Sequence, residues 1–559
     1  MTKLEAALRE REQCGVPTQL LLIGASATDV RTWANLWPEH APHLRLVSLH
    51  MRSCTEEPHV TSPTPVPPPF KGTADQLGSN VSWVNWGALQ SDGSLDASGR
   101  FHGVWLDERA DITPPDLMRA LRRHLWRGSW LQSAAPMSDA LTRACLAQGW
   151  HLQPQPSAAT EPTAREWPTA FAVDAVYLPR WPAPQATGAM PTSAMVIGAG
   201  LAGASVTAQL TSRGLHVDWI DAQLEPAQGA SALPVGLLSG HPTAQPTPLS
   251  ELTDIGLACT QATLQRLLPS GQGWQATPAH RIHDDRTRPD QSDPAWLIEP
   301  KALVQAWRAQ ALASGRLTEH WGCKVHRLQC QGGQWQALDA QGQVMAQASV
   351  VVVANAHQAG NLLPALAPAL RAVAGQMSWA GLAPEDLPVA DAVLRSHGVV
   401  SPAFESSRGR IWTVGSTYRR GVSQPQATEA DHDANRACMA RLCPEGLARF
   451  DQQRARGEMQ AFVGVRCATP DRMPLLGAVP DADQVWPHRG GLAAVPRQPG
   501  LYAFTALGSR GLTLAAWGAE TLADMVQSLP LPTRASFAHM CDPARRALHS
   551  GSSASNQKS

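Results

Sequence analysis

The stretch "AMVIGAGLAGASVTAQLTSRGLHVDWID", Ala194 to Asp221, decides the fold of most of this chain. Its opening residues are apolar and read as a buried strand. "LAGASVTAQLTSRG" then carries a helical pattern, and "HVDWID" is a second strand. Gly198, Gly200 and Gly203 stand between strand and helix in the G-x-G-x-x-G pattern of a dinucleotide-binding turn. The first glycine permits the tight turn, the second the close approach of backbone to a diphosphate, and the third the packing of helix on strand. The helix start offers unpaired N–H groups and a partial positive charge to the phosphates. Asp221 ends the second strand, 18 residues past Gly203, where a carboxylate can accept hydrogen bonds from both ribose hydroxyls. At this point the cofactor is either NAD or FAD.

The C-terminal part separates the two. "FVGVRCATPDRMPLLGAVPD" (Phe462 to Asp481) leads to "GLYAFTALGSRGLTLAAWGAETLADM", a strand, a glycine turn and a long helix. The turn and helix start hold Gly508, Ser509, Arg510, Gly511, Leu512 and Thr513. A second helix N-terminus, remote in sequence from the first loop, suits a flavin. The reduced flavin carries negative charge around N1 and its neighbouring carbonyl, which a helix dipole and backbone N–H groups stabilise. A nicotinamide has no such need, so FAD is the expected cofactor.

"GAGLAGAS", "GVRCATPDRMPLLG" and "ALGSRGLT" together resemble the FAD-dependent oxidoreductase domain of the bifunctional tRNA 5-methylaminomethyl-2-thiouridine biosynthesis family, within the glycine-oxidase and D-amino-acid-oxidase class. The resemblance runs from about Ala194 to "DPARRAL" and keeps the order and spacing of these segments. It implies a tRNA wobble uridine as partner and oxidative removal of a carboxymethyl group from its carboxymethylaminomethyl substituent. A hydride leaves the glycine-like methylene, and hydrolysis of the imine releases glyoxylate. It also implies a carboxylate-binding arginine at Arg466, with Arg472 as second choice; a guanidinium fork matches a carboxylate better than an ammonium does. Ser231, in "AQGASALPVG", falls in the segment that wraps the flavin, although Ala232 and Leu233 stand where relatives have Gly-Asn. In "AVAGQMSW" the family's Arg-Gly-Gln becomes Ala374, Gly375 and Gln376. Asn355 reads as a turn residue, and His357, His397 and His432 read as solvated or core histidines.

The N-terminal third makes a similar entry with its glycines missing. "LLLIGASATDVRTW" (Leu20 to Trp33) rises to Gly24, but Ala25, Ser26 and Ala27 follow. The next strand, "LRLVSLH", ends in His50 rather than an acid. In the resembled family this region is a SAM-dependent methyltransferase of doubly wound fold. Methyl groups at Ala25 and Ala27 oppose close approach and positive φ, and losing several hydrogen bonds of about 1 kcal/mol each lowers affinity by orders of magnitude. The expectation is a degenerate domain that does not methylate. "PPDLMRALRRHLW" reads as a helix, with Arg119, Arg122, Arg123 and Arg127 as a candidate phosphate-contacting face.

Composition sets the outer bounds. A chain of 559 residues is too long for one core. With 43% hydrophobic and 16% charged residues it is globular rather than disordered, and a net charge of zero gives no global pull on nucleic acid. The 10 cysteines include no CxxC pair, so no metal site is expected, and a reducing, cytoplasmic setting fits them. No apolar run is long enough to cross a membrane. The expected architecture is α/β: a degenerate methyltransferase-like domain (1–153), a linker (154–193), a Rossmann-type FAD domain interleaved with an antiparallel-sheet substrate domain (194–543), and a disordered tail (544–559). Two other functions fit the residues: an FAD-dependent oxidase of a free amine or amino acid, and a non-catalytic tRNA-binding scaffold. The sequence leaves the oligomeric state open.

Overall fold

The computed structural model describes residues 191–282 (without 242, 244 and 246), 291–484, 491–527 and 535–546, and, nearer the N-terminus, 18–23, 44–49, 101–106, 118, 121, 125–133, 137–152 and 175–177. The chain divides into two compact units, residues 1–191 with 524–538, and residues 192–523 with 539–559.

The first unit carries a six-stranded sheet made of β1 (Thr18–Ile23), β2 (Leu44–Leu49), β3 (Phe101–Leu106), β4 (Leu125–Ser133), β5 (Trp150–Leu152) and β6 (Ala175–Tyr177), in the order β2-β1-β3-β4-β6-β5. β1 pairs in parallel with β2 and β3, and β3 with β4, as strand–helix alternation requires. One helix, α1 (Asp139–Ala147), starts at Ser138, whose hydroxyl accepts the Leu141 N–H at 3.1 Å. Two expectations from the sequence change here. Trp126 and Arg127 do not continue a helix but lie in β4, where pairing with β3 and β6 overrides local propensity. Ala175–Tyr177, inside the expected linker, is a strand of this sheet. Ala25, Ser26, Ala27, His50 and Arg119, Arg122 and Arg123 lie outside the described residues.

The second unit interleaves two large sheets. β7 (Ser193–Ile197), α2 (Leu201–Ser212) and β8 (His216–Asp221) form the first β-α-β turn. β9 (Gly236–Ser239), α3 (Pro248–Leu267), β10 (Trp274–Arg281), β11 (Gln291–Ile298), α4 (Pro300–Ala313) and β12 (Leu317–Trp321) follow. A small antiparallel sheet, β13 (Arg327–Gln331), β14 (Gln334–Leu338) and β15 (Val344–Ala348), precedes β16 (Val350–Val353). β17 (Arg371–Gly381), β18 (Val393–Arg395), β19 (Val399–Val400), β20 (Phe404–Ser406), β21 (Gly409–Gly415) and β22 (Arg419–Arg420) belong to the other large sheet. α5 (Glu429–Leu442), α6 (Leu447–Ala455), β23 (Gln460–Ala468), β24 (Leu475–Pro480), β25 (Arg497–Thr505), α7 (Gly511–Val526) and α8 (Ala535–Cys541) complete the order, residues 524–538 of the last two helices and their connection being counted with the first unit.

The nucleotide-type sheet runs β12-β8-β7-β16-β25-β24 and is parallel except for its last pair. All four valines of β16 are buried, as a strand covered on both faces demands. The ten-stranded sheet is mostly antiparallel, with β17 at its centre of exchange: it pairs with β21, β22 and β23. Because the chain leaves and re-enters each sheet, residues far apart in sequence meet between them.

The "PDRM" turn after β23 is held by an acid. Burial alone would raise the Asp471 pKa, but Arg545, the Thr469 hydroxyl and the Met473 N–H hold it down at about 2. Arg545 donates to both carboxylate oxygens at 3.1 Å. A folded-state pKa below the unfolded value means this stabilisation is complete above about pH 4 and is lost as pH falls through 2. Asp471→Asn is therefore expected to destabilise the protein by about 1–2 kcal/mol at pH 7, allowing for partial solvent screening. Urea unfolding over a pH series checks this: the gap to wild type should close between pH 4 and 2, and a gap constant with pH would contradict it.

Candidate active site

The glycine turn is built by exclusion of side chains. Gly198 has φ +113°, and a Cβ there would stand 2.7 Å from the Ala354 carbonyl. A Cβ on Gly203 would stand 1.7 Å from the Gly198 oxygen, so α2 can reach the end of β7 only with a bare position. The Trp219 indole N–H, deep in the core, donates to that same oxygen at 3.0 Å. Asp221 turns back onto the loop: one carboxylate oxygen accepts the Ala199 N–H at 2.6 Å and the other accepts the Gln223 N–H at 2.8 Å. Burial raises its pKa, and these two hydrogen bonds oppose the rise. The Ser231 hydroxyl accepts the Leu201 N–H at 3.1 Å, capping the first turn of α2.

A cavity of about 1240 Å³ opens along this loop. That exceeds the roughly 300–1,000 Å³ of ordinary small-ligand sites. Gly198, Gly200, Asp221, Ser231, Gly508, Ser509, Gly511, Leu512 and Arg466 all line it. The residues expected from four distant segments of the sequence thus come to one cavity. Gly203, Arg510, Thr513 and Arg472 do not line it. Gly203 serves packing, and Thr513 is buried with its carbonyl turned toward Gly256. Arg472 is exposed in a positive-φ turn (φ 62°) beside Asp471, so the second choice for a carboxylate-binding arginine is not on the cavity wall. The N-termini of α2 and α7 meet at the cavity; a Cβ on Gly511 would lie 3.1 Å from the Leu201 side chain. Two bare helix starts and a ribose-height carboxylate fit a dinucleotide with a second anionic centre, which is FAD.

Arg466 occupies the far end, on β23. Its guanidinium donates to the Ser416 hydroxyl and to the Thr417 carbonyl (3.5 Å), and lies 4.5 Å from the centre of the Tyr418 ring. No carboxylate pairs with it among the described residues, and burial lowers its pKa. Gly375 makes room for it: a Cβ there would lie 2.5 Å from Arg466 Nη1. Alternation along β17 then places Ala374 on the other face. Gly375 and Met377 line the cavity, whereas Gln376 and Ser378 face α5. Gln376 is locked to the Thr428 backbone by two hydrogen bonds of 3.0 and 2.9 Å. The arginine replaced by Ala374 is thus missing from the face turned away from the cavity. His432 is a core histidine, 2.7 Å from the Ser378 hydroxyl. His357, His397 and Asn355 line the cavity, His397 as an exposed residue in keeping with the solvated reading. Nothing local in the sequence marks them, since β16 and β18 only acquire this wall by joining different sheets.

Among the described residues no group of three or more His, Cys, Asp or Glu is placed to hold a metal, and no helix is long and apolar enough to cross a membrane.

A family model described as FAD dependent oxidoreductase matches residues 290–525. With the cavity above, this makes the protein an FAD-dependent oxidoreductase. Its relatives narrow the class. The chain is 33% identical over 387 residues to the tRNA 5-methylaminomethyl-2-thiouridine biosynthesis bifunctional protein MnmC of Polaromonas naphthalenivorans, covering 61% of this chain and 58% of that protein. It is 34% identical over 461 residues to the protein of the same name from Albidiferax ferrireducens, covering 77% and 72%. The chain belongs to this MnmC family, of whose first two relatives it spans 58% and 72%. Among solved structures, iminodiacetate oxidase from Chelativorans sp. BNC1 is 20% identical, with a TM-score of 0.48 over 61% of this chain and 96% of that one.

The packing of Gly203 gives a direct test of the cofactor wall. Gly203→Ala should lift α2 off the β7 turn and reduce bound flavin at least tenfold, read as 450 nm absorbance per protein after purification. Undiminished flavin in that variant would contradict the role given to the contact.

Proposed function

We propose that the second unit oxidises the carboxymethylaminomethyl group of a tRNA wobble uridine, releasing its carboxymethyl carbons as glyoxylate and leaving an aminomethyl group. Arg466 carries the proposal. A buried cation without an acid is costly unless a ligand supplies the missing charge. Its fork, steadied by Ser416, Thr417 and the Tyr418 ring, offers a carboxylate the planar, bidentate partner it prefers. Seated there, the substrate's N–CH₂ bond is fixed in place, which is most of what this chemistry asks of the protein. FAD, when bound, would supply the two-electron acceptor for the hydride of that methylene, and water would cleave the substrate imine left behind. No side chain needs to remove the C–H proton as a base.

A field of cations beside the cavity favours a polyanionic substrate over a free amine. Arg510 stands between the lining residues Ser509 and Gly511, and Arg395 precedes the lining residue Ser396. Burial lowers the His241 pKa, and Arg510, Arg281 and Arg395 lower it further. Burial likewise lowers that of Arg510, with Arg472 adding to it. Arg395 is neutralised by Asp293. Arg281, Arg472 and Arg510 have no acidic partner among the described residues. Phosphates are their natural counter-charge. This replaces the cofactor role that the sequence suggests for Arg510.

We propose further that the first unit does not methylate. Its β1 lies between parallel strands, where a cofactor loop would follow Ile23, yet the chain continues with Gly24, Ala25, Ser26 and Ala27.

With modified tRNA as substrate, Arg466→Lys should cut kcat/KM by about 10- to 150-fold, the worth of a charge-assisted hydrogen bond. Arg510→Ala should instead raise KM several-fold at unchanged kcat and lower the slope of log KM against log salt by about 1. Steady-state kinetics across salt concentrations checks both. Equal activity on a free N-carboxymethyl amine, with no salt slope, would favour the small-molecule reading. Calorimetric titration with SAM should show no binding at micromolar concentrations, and micromolar affinity would refute the inactive first unit.

A further inference from the structure

The segment that follows β16 packs its backbone against Gly198 of the glycine turn, and its side chains carry an unmet demand. Asn355 Oδ1 and His357 Nδ1 are shielded from solvent and have no hydrogen-bond partner. Among the described residues, they are the orphaned side-chain atoms that belong to the cavity wall. A buried polar atom left unpaired is costly, so two together call for a ligand group. Between them Ala356 adopts φ 56°, a left-handed conformation that a residue with a Cβ takes only under constraint. The Thr505 hydroxyl holds it by donating to its carbonyl at 2.9 Å. The backbone is thus strained in a way that presents both side chains to the cavity.

We infer that Asn355 and His357 bind the ribityl chain of the FAD. Position and chemistry agree on that part of the molecule. Asn355 begins beside Gly198 of the diphosphate loop, and Ala356 is tied to Thr505, just before the turn into α7. The pair therefore stands between the place for the diphosphate and the place for the isoalloxazine. An amide oxygen needs a donor, and phosphate oxygens are acceptors only. The adenosine ribose already has Asp221. Of the donors FAD offers, the adenine amino group lies beyond the diphosphate and the flavin N3–H on the ring itself, so the ribityl hydroxyls are the ones between those two places. Burial lowers the His357 pKa, which keeps its ring neutral and one nitrogen free to accept.

The test uses the full chain stripped of flavin. FAD is titrated by flavin fluorescence and ADP, which shares the adenosine diphosphate but has no ribityl chain, by calorimetry. Asn355→Ala and His357→Ala should each weaken FAD about 5- to 30-fold while ADP affinity stays within twofold of wild type. Unchanged FAD affinity in the two variants overturns the inference. So does a parallel loss of ADP affinity, which would mean that the wall had merely been disturbed. If Asn355→Ala does not fold, His357→Ala decides alone. Failure of the wild-type chain to bind FAD would instead count against the cofactor itself, so the two failures are distinguishable.

Discussion

The Gly198 carbonyl oxygen has α2 pressed against it so closely that a single methyl on Gly203 would stand 1.7 Å away. That approach fixes the helix start against the end of β7, and the Trp219 indole N–H donates to the same oxygen. Ala199 is then held where its N–H meets Asp221, and Leu201 where its N–H meets Ser231. One tight contact thereby sets the height of the ribose acid, the direction of the helix dipole and the near wall of the cavity. β16 and β25 continue the sheet and bring Asn355 and the α7 turn to the same cavity, so the far wall depends on it too.

At the other end, the central fact is a positive charge with no carboxylate partner among the described residues. Arg466 is surrounded by groups that orient it but do not neutralise it: a hydroxyl, a carbonyl and an aromatic face. Gly375 gives it room by having no side chain, and the alternation of β17 sends Ala374 to the opposite face. The unusual Ala374 is therefore compatible with an intact cavity. The arginines near the cavity that have no acidic partner among the described residues are those that the proposed tRNA substrate would pair with.

Gly198, Gly203 and Asp221 are legible in the sequence because their geometry is local: one turn, one helix and one strand end fix it. Arg466 is legible only through a motif, and its surroundings are not. Gly375 on β17, and Ser416, Thr417 and Tyr418 in the loop between β21 and β22, are separated from it by dozens of residues, and only sheet pairing assembles them. His357 and Asn355 look like ordinary turn residues because nothing near them in sequence reveals an unpaired atom. Arg127 misleads for the opposite reason, a plausible helical pattern overruled by pairing of β4 with β3. Arg472 carries the right chemistry in the right motif, but the Asp471–Arg545 anchor turns that loop outward.

The central claim proposed here is that a carboxymethylaminomethyl uridine on tRNA gives up two electrons to FAD in the cavity lined by Gly198, Asp221 and Arg466. Anaerobic stopped-flow mixing of the FAD-loaded protein with tRNA bearing that modification tests it most directly. The account predicts loss of the 450 nm flavin absorbance and formation of one glyoxylate per flavin, with no reaction from unmodified tRNA. A flavin that stays oxidised in the presence of the modified tRNA would contradict it.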